Sequence, residues 1–120
     1  MEIIVKLETD NMNLKSLAQV ITQITNPDDL DKLSRHDHSI IRSEVAANKN
    51  AYAKTLNYLS KDKDFIVRYL VASNPNTPEE ALYRLAIESD FIICERIAKR
   101  EGLSDRIIKA LKVNSESVVH

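Results

Sequence analysis

Glycine occurs once in this 120-residue chain, at Gly102; tryptophan is absent, proline occurs three times and cysteine once. β-Sandwiches and small barrels turn often, and their turns draw on Gly and Pro. So little of either excludes an all-β fold. The lone Cys94 cannot close an internal disulfide, which suits a reducing compartment and points to the cytoplasm. No stretch approaches the roughly 18 apolar residues of a membrane span. Glu2, Glu8 and Asp10 come early and no small-residue cleavage site follows, so a signal peptide is not expected. The net charge of −1 gives no strong global field toward nucleic acid or membrane.

What remains is an ordinary single-domain composition, 43% hydrophobic and 29% charged. Its charges are unevenly placed: residues 1–31 hold six acids and two bases, residues 32–120 twelve acids and fifteen bases.

The chain resembles itself at an offset of 26 residues. Leu30, Leu56, Leu82 and Ile108 fall in one column, and Leu33, Leu59, Leu85 and Leu111 in a second. Ile40, Ile66, Ile92 and Val118 form a third, Ile41, Val67, Ile93 and Val119 a fourth. Val45, Val71 and Ile97 align, as do Ala46, Ala72 and Ala98, while Arg42 matches Arg68 and Asn48 matches Asn74. Apolar columns filled in every copy are expected where stacked units bury the same face each time.

Within a unit the spacing is helical: Ile66, Val67, Leu70 and Val71 share one face. First helices are predicted near 28–35, 52–61, 78–87 and 105–112, second helices near 39–47, 65–73, 91–100 and 115–119. The joint "NPNTP" at 74–78 reads as punctuation. Asn74 suits a left-handed helix end, Pro75 stops the helix, Thr77 and Glu80 form a capping box, and Pro78 opens the next helix. Asn26-Pro27-Asp28-Asp29 has the same logic. Asp64 and Asp90 are predicted to cap the second helices, with His38 and Glu116 as poorer substitutes.

The stretch Val67-Arg68, Val71-Ala72, Asn74-Pro75-Asn76-Thr77-Pro78-Glu79, Leu82 and Leu85-Ala86 resembles the leucine-rich repeat variant family. The resemblance covers about residues 26–120 and is strongest over 65–90. It implies pairs of short helices, one often 3₁₀, wound into a superhelix related to HEAT-type solenoids; it implies a scaffold and does not imply an activity. Some members hold a cysteine-ligated iron–sulfur cluster; with Cys94 alone, that feature does not carry over.

Few residues suggest chemistry. His36, Asp37 and His38 cluster in "RHDHS", but a helical zinc pair needs two ligands four apart and a closed site needs four. Beyond them only Cys94 and His120 are His or Cys, so no metal or other cofactor is expected. Cys94 has no His in its unit to activate it. No glycine-rich phosphate loop exists, and an enzyme is not expected. Arg42 and Arg68 have two readings: a ladder pairing with Asp62 and Glu88 of neighbouring units, or contacts to an acidic partner.

The expected fold is all-α: a short right-handed α-solenoid of helical hairpins. Residues 1–25 form an atypical N-terminal cap, in which 2–8 fit either a short strand or a degenerate helix, followed by a helix over 13–25. Repeats cover 26–50, 51–76 and 77–102, with a partial repeat over 103–120. The expected function is a non-catalytic protein-binding scaffold, with Arg42, Ser43, Arg68, Tyr69, Glu95 and Arg96 as contacts. The alternative is nucleic-acid-backbone binding through Lys99, Arg100, Arg106, Lys109 and Lys112, weakened by the interrupting Glu101 and Asp105 and by the lack of stacking aromatics.

Val118 and Val119 stand in core columns with no following unit, and Ile3, Ile4, Val5 and Leu7 are more apolar than a lone arm needs. Unpaired edges and bare apolar ends favour self-association, so a homodimer is expected. Light scattering should give about twice the 13.7 kDa chain mass, and deletion of residues 1–9 should return a monomer. A monomeric full-length chain would instead place the N-terminal segment back on its own helices.

Overall fold

The computed structural model describes residues 14–88 and 90–119. Over these the chain is helical throughout, with eight α-helices and no strand. They are α1 (Leu14–Ile21), α2 (Pro27–Leu33), α3 (Ser39–Ala47), α4 (Ala53–Leu59), α5 (Phe65–Ser73), α6 (Glu79–Glu88), α7 (Phe91–Ala98) and α8 (Asp105–Val119). The strand reading of residues 2–8 and the side chains of Val118 and Val119 lie outside what is described.

Short helices need strong ends, and several have a side-chain cap. Asn26 caps α2 by accepting the Asp28 N–H at 2.9 Å, with Pro27 in the first turn. Asp64 accepts the Ile66 and Val67 N–H groups, and Asp90 those of Ile92 and Ile93. His38 stands at the same position before α3 and makes no side-chain cap, as its weaker fit predicts.

Two ends differ from expectation. Thr77 does not cap α6: its hydroxyl donates to the Val71 carbonyl at 2.6 Å, tying the loop back to α5, and the Pro78 carbonyl accepts the Leu82 N–H. Asn74 is not left-handed. It is extended, at φ −74° and ψ 129°, and its value lies in its side chain. The expected break between 112 and 115 is also absent. No Pro, Gly or capping Asp interrupts Val113–Ser117, so α8 continues as one helix of 15 residues.

The helices lie in two rows within a block of 50 × 25 × 18 Å. In one row α1 packs on α3, α3 on α5 and α5 on α7; in the other α4 packs on α6 and α6 on α8. Consecutive helices join the rows. The core between them holds Leu30, Leu56 and Leu82, then Leu33, Leu59 and Leu85, then Ile41, Val67 and Ile93, then Val45, Val71 and Ile97, all buried.

Not every apolar column reaches the core. Ile40, Ile66 and Ile92 are 47%, 53% and 55% exposed. Ile108 is 38% exposed, because α8 runs on where α6 turns back into α7, so no returning helix covers it; Ile107 is buried in its place. Ala98, in the last turn of α7, is also exposed.

One hydrogen-bond pattern recurs along the first row. The last carbonyls of an α-helix have no partner within the helix. Asn48 Nδ2 donates to the Ile21 and Ile24 carbonyls at 3.2 and 3.0 Å, just past the end of α1. Asn74 Nδ2 donates to the Ala46 and Asn48 carbonyls at 2.8 and 2.9 Å. Arg100 Nη1 donates to the Ala72 and Asn74 carbonyls, both at 2.9 Å. The two Asn side chains are buried, and their Oδ1 atoms accept the N–H groups of Asn50 and Asn76. Positions 48, 74 and 100 thus perform one task at steps of 26 residues. On α1 the matching step is 24, the spacing from Ile24 to Asn48.

Leu82→Ala is expected to cost about 2–5 kcal/mol through transfer and cavity terms. Asn74→Ala should cost about 2–4 kcal/mol, since it strips donors from two carbonyls and an acceptor from one N–H. Asn76→Ala, at an exposed site, should cost under about 1 kcal/mol. Chemical denaturation midpoints rank the three; an Asn74 variant as stable as the Asn76 variant would deny the buried amide its role.

Candidate protein-binding face

In a helix, residues three, four and seven apart share a face. On α5 that places Ile66, Tyr69, Leu70 and Ser73 together, opposite the buried Val67, Val71 and Ala72. The same positions are Ile40, Ser43, Glu44 and Ala47 on α3, and Ile92, Glu95, Arg96 and Lys99 on and just past α7. All are exposed or half-buried. The three sets lie side by side because α3, α5 and α7 pack in sequence. Phe65 and Tyr69 stack with centroids 6.4 Å apart, and Arg96 Nε reaches the Ser73 hydroxyl at 2.9 Å, crossing from α7 to α5.

Of the six predicted contact residues, Ser43, Tyr69, Glu95 and Arg96 stand on this face. Arg42 does not. At 3.6 residues per turn it is turned roughly 200° from Ile40, and it is buried. Its Nε and Nη2 grip Asp62 at 2.8 and 3.2 Å, while Nη1 donates to the His36 and Asp37 carbonyls. The Asp62 hydrogen bond raises the guanidinium above its ordinary value. Arg68 is built on the same plan, with Nη1 on the Asp62 carbonyl at 2.6 Å, but among the described residues it forms no ion pair with the expected Glu88. The two arginines therefore brace the turns beneath the row.

The residues missed are Ile40, Ile66 and Ile92. Periodicity marked the column as apolar, and the core reading followed, but the repeat fixes equivalence between units and not burial. The discriminating signal was local. Each Ile is followed by a second apolar residue, Ile41, Val67 or Ile93, and two adjacent helical positions point about 100° apart. Only one of each pair can face the core centre.

The C-terminal basic residues do not form one patch. Arg100 belongs to the carbonyl ladder, and burial lowers its pKa, with a smaller push from Arg96. Arg106 pairs with Glu79 at 3.1 Å and lies 4.0 Å from the centre of the Tyr83 ring. Lys99 pairs with Glu95 on the other row. Lys109 and Lys112 are left exposed on α8.

Cys94 is buried, with its thiol 3.5 Å from the Ala86 carbonyl. The His36 and His38 rings lie 5.4 Å apart, and His36 Nδ1 accepts the His38 N–H at 3.1 Å. Among the described residues no three His, Cys, Asp or Glu side chains gather into a metal-binding group, and no helix is long and apolar enough to cross a membrane. Comparison with known protein families, with curated proteins and with solved structures returns no match.

The Glu44 carboxyl is pushed above its ordinary 4.5, and the cause is burial. A raised acid adds stability below its unfolded pKa and loses it as pH rises through the folded value. Glu44→Gln is therefore expected to raise the melting temperature more at pH 7 than at pH 4. An equal shift at both pH values would mean that the carboxylate is not desolvated. Separately, Arg42→Met should cost about 3–5 kcal/mol by stranding the Asp62 carboxylate, whose side chain is 7% exposed, and Asp62→Leu in the same chain should recover part of it; additive losses would contradict the pairing.

Proposed function

We propose that the chain is a short right-handed α-solenoid of the leucine-rich repeat variant kind, and that it binds another protein without catalysis. The 26-residue unit, with repeats over 26–50, 51–76 and 77–102, is supported by the recurring side-chain-to-carbonyl bonds. The row of α1, α3, α5 and α7 is the more continuous of the two, so it forms the inner, concave side, where stacked helices offer an extended surface.

The observation that carries the reading is the exposed column Ile40, Ile66 and Ile92. Each stands two positions after the N-cap position, in the first turn of its helix. There, acidic residues are favoured and a β-branched apolar residue gains nothing locally. Core packing does not account for the column either, since each side chain is about half exposed. Covering three half-exposed isoleucines is worth about 3 kcal/mol, if full burial of one is worth about 2. Tyr69, Leu70 and Arg96 add the residue types that anchor interfaces.

Neighbouring helices pack about 8–10 Å apart. A partner crossing the row would meet one isoleucine per helix at that interval. Seven residues of α-helix at 1.5 Å each, or three of extended chain at about 3.3 Å, match it. The partner is thus an apolar-periodic segment of another protein. The nucleic-acid alternative loses support, because Arg100, Arg106 and Lys99 are otherwise engaged.

The test compares the native chain with Ile40→Asp/Ile66→Asp/Ile92→Asp in pull-downs from the native cell. The triple variant should keep its melting temperature within a few degrees and lose the proteins the native chain retains. Retention of the same set by the variant would reject this face. A labelled duplex should not be retarded at physiological salt; a steeply salt-dependent shift would favour the alternative.

A further inference from the structure

Where α2 turns into α3 and α4 turns into α5, a cleft of about 400 Å³ opens on the flank of the block. Arg42 and Asp62 line it, and both are spent. Asp62 takes two bonds from Arg42 and one from the Asp64 N–H, and Arg42 gives its remaining Nη1 to two backbone carbonyls. The other charged groups on the walls are Arg35, Lys61 and Lys63 against Asp37, three cations to one carboxylate. Among the described residues, none of those three cations is paired with an acid.

The donors are partly preset. The Arg35 guanidinium lies 4.4 Å from the centre of the Tyr58 ring, which holds its planar fork in place. His36 Nδ1 accepts the His38 N–H, so the neutral ring carries its proton on Nε2 and offers a further donor. Like charges gathered in excess of their counter-charge repel one another, and a dianion relieves that repulsion. An arginine fork with two flanking ammonium groups suits phosphate oxygens.

We propose that this cleft binds a phosphomonoester dianion. The surplus of two positive charges matches the ligand's charge. The volume exceeds a bare phosphate and leaves room for its carrier beside the half-exposed Tyr58 ring. The site is separate from the isoleucine face and does not depend on it, although Ile40 and Ile66 lie in the first turns of the helices that follow the two turns. A free small phosphate ester and a phosphorylated side chain of a protein present the same chemistry.

The experiment is an amide NMR titration of the full chain with inorganic phosphate and with O-phosphoserine, at ionic strength held constant with sodium chloride and with serine as control. Saturable shifts are expected at residues 35–38 and 61–64, with serine silent. Lys61→Ala/Lys63→Ala, both at exposed positions, should leave the melting temperature unchanged and weaken binding by about tenfold, the worth of two partly exposed charge contacts. Arg35→Gln provides a second, independent variant with the same expected direction. Phosphoserine binding more tightly than phosphate identifies a phosphorylated side chain as the source; equal or weaker binding identifies a free small phosphate. Absence of saturable shifts, or equal affinity in the native chain and both variants, overturns the proposal.

Discussion

A helix that ends inside a protein leaves carbonyls with nothing to accept, and here the next helix of the same row supplies the donor. Asn48, Asn74 and Arg100 each reach back across the row to the carbonyls just left by the preceding helix. An unsatisfied buried carbonyl costs about 1–3 kcal/mol, so each helix of the row is completed by its successor. That dependence sets the spacing of the row. It also explains why α3 and α5 stop where they do, with Asn48 and Asn74 extended so that their amides point backward and their Oδ1 atoms hold the following turn.

The rest follows from this alignment. With the first row fixed, the leucine columns of the other row meet it from one side and close the core. The opposite side of the first row is left to solvent, and the residues at three- and four-residue spacing there become a surface. Arg42 and Asp62 perform a related task at the other end of the helices. They gather the 36–38 turn and the 62–64 turn into one rigid edge, and the exposed cations of those turns are thereby brought to the walls of a single cleft.

Much of this was legible in the sequence, for identifiable reasons. Helix limits are set by local chemistry, and Asn26-Pro27, Asp64 and Asp90 carry it in their own residues. The leucine columns are legible because burial in a repeated setting demands the same residue type each time. The ladder was only half legible: Asn48 and Asn74 match, but Arg100 does the same work with a different side chain, and identity columns do not register that. The isoleucine column was misread, since an exposed position kept apolar in every unit looks the same as a core position. The extent of α8 was missed because a helix continues by default once nothing stops it, and the repeat had suggested a stop. Arg42 was placed in the correct pairing with Asp62, yet its burial, which removes it from the surface, depends on three-dimensional packing.

Side-chain amide hydrogen exchange tests the ladder most directly. Both Nδ2 protons of Asn48 and of Asn74 are bonded to buried carbonyls between successive helices. They should exchange only when the core opens, with the same free energy of opening as the backbone amide of the fully buried Val71. Exchange of these protons at the rate of the exposed Asn26 side chain, while Val71 stays protected, would contradict the account.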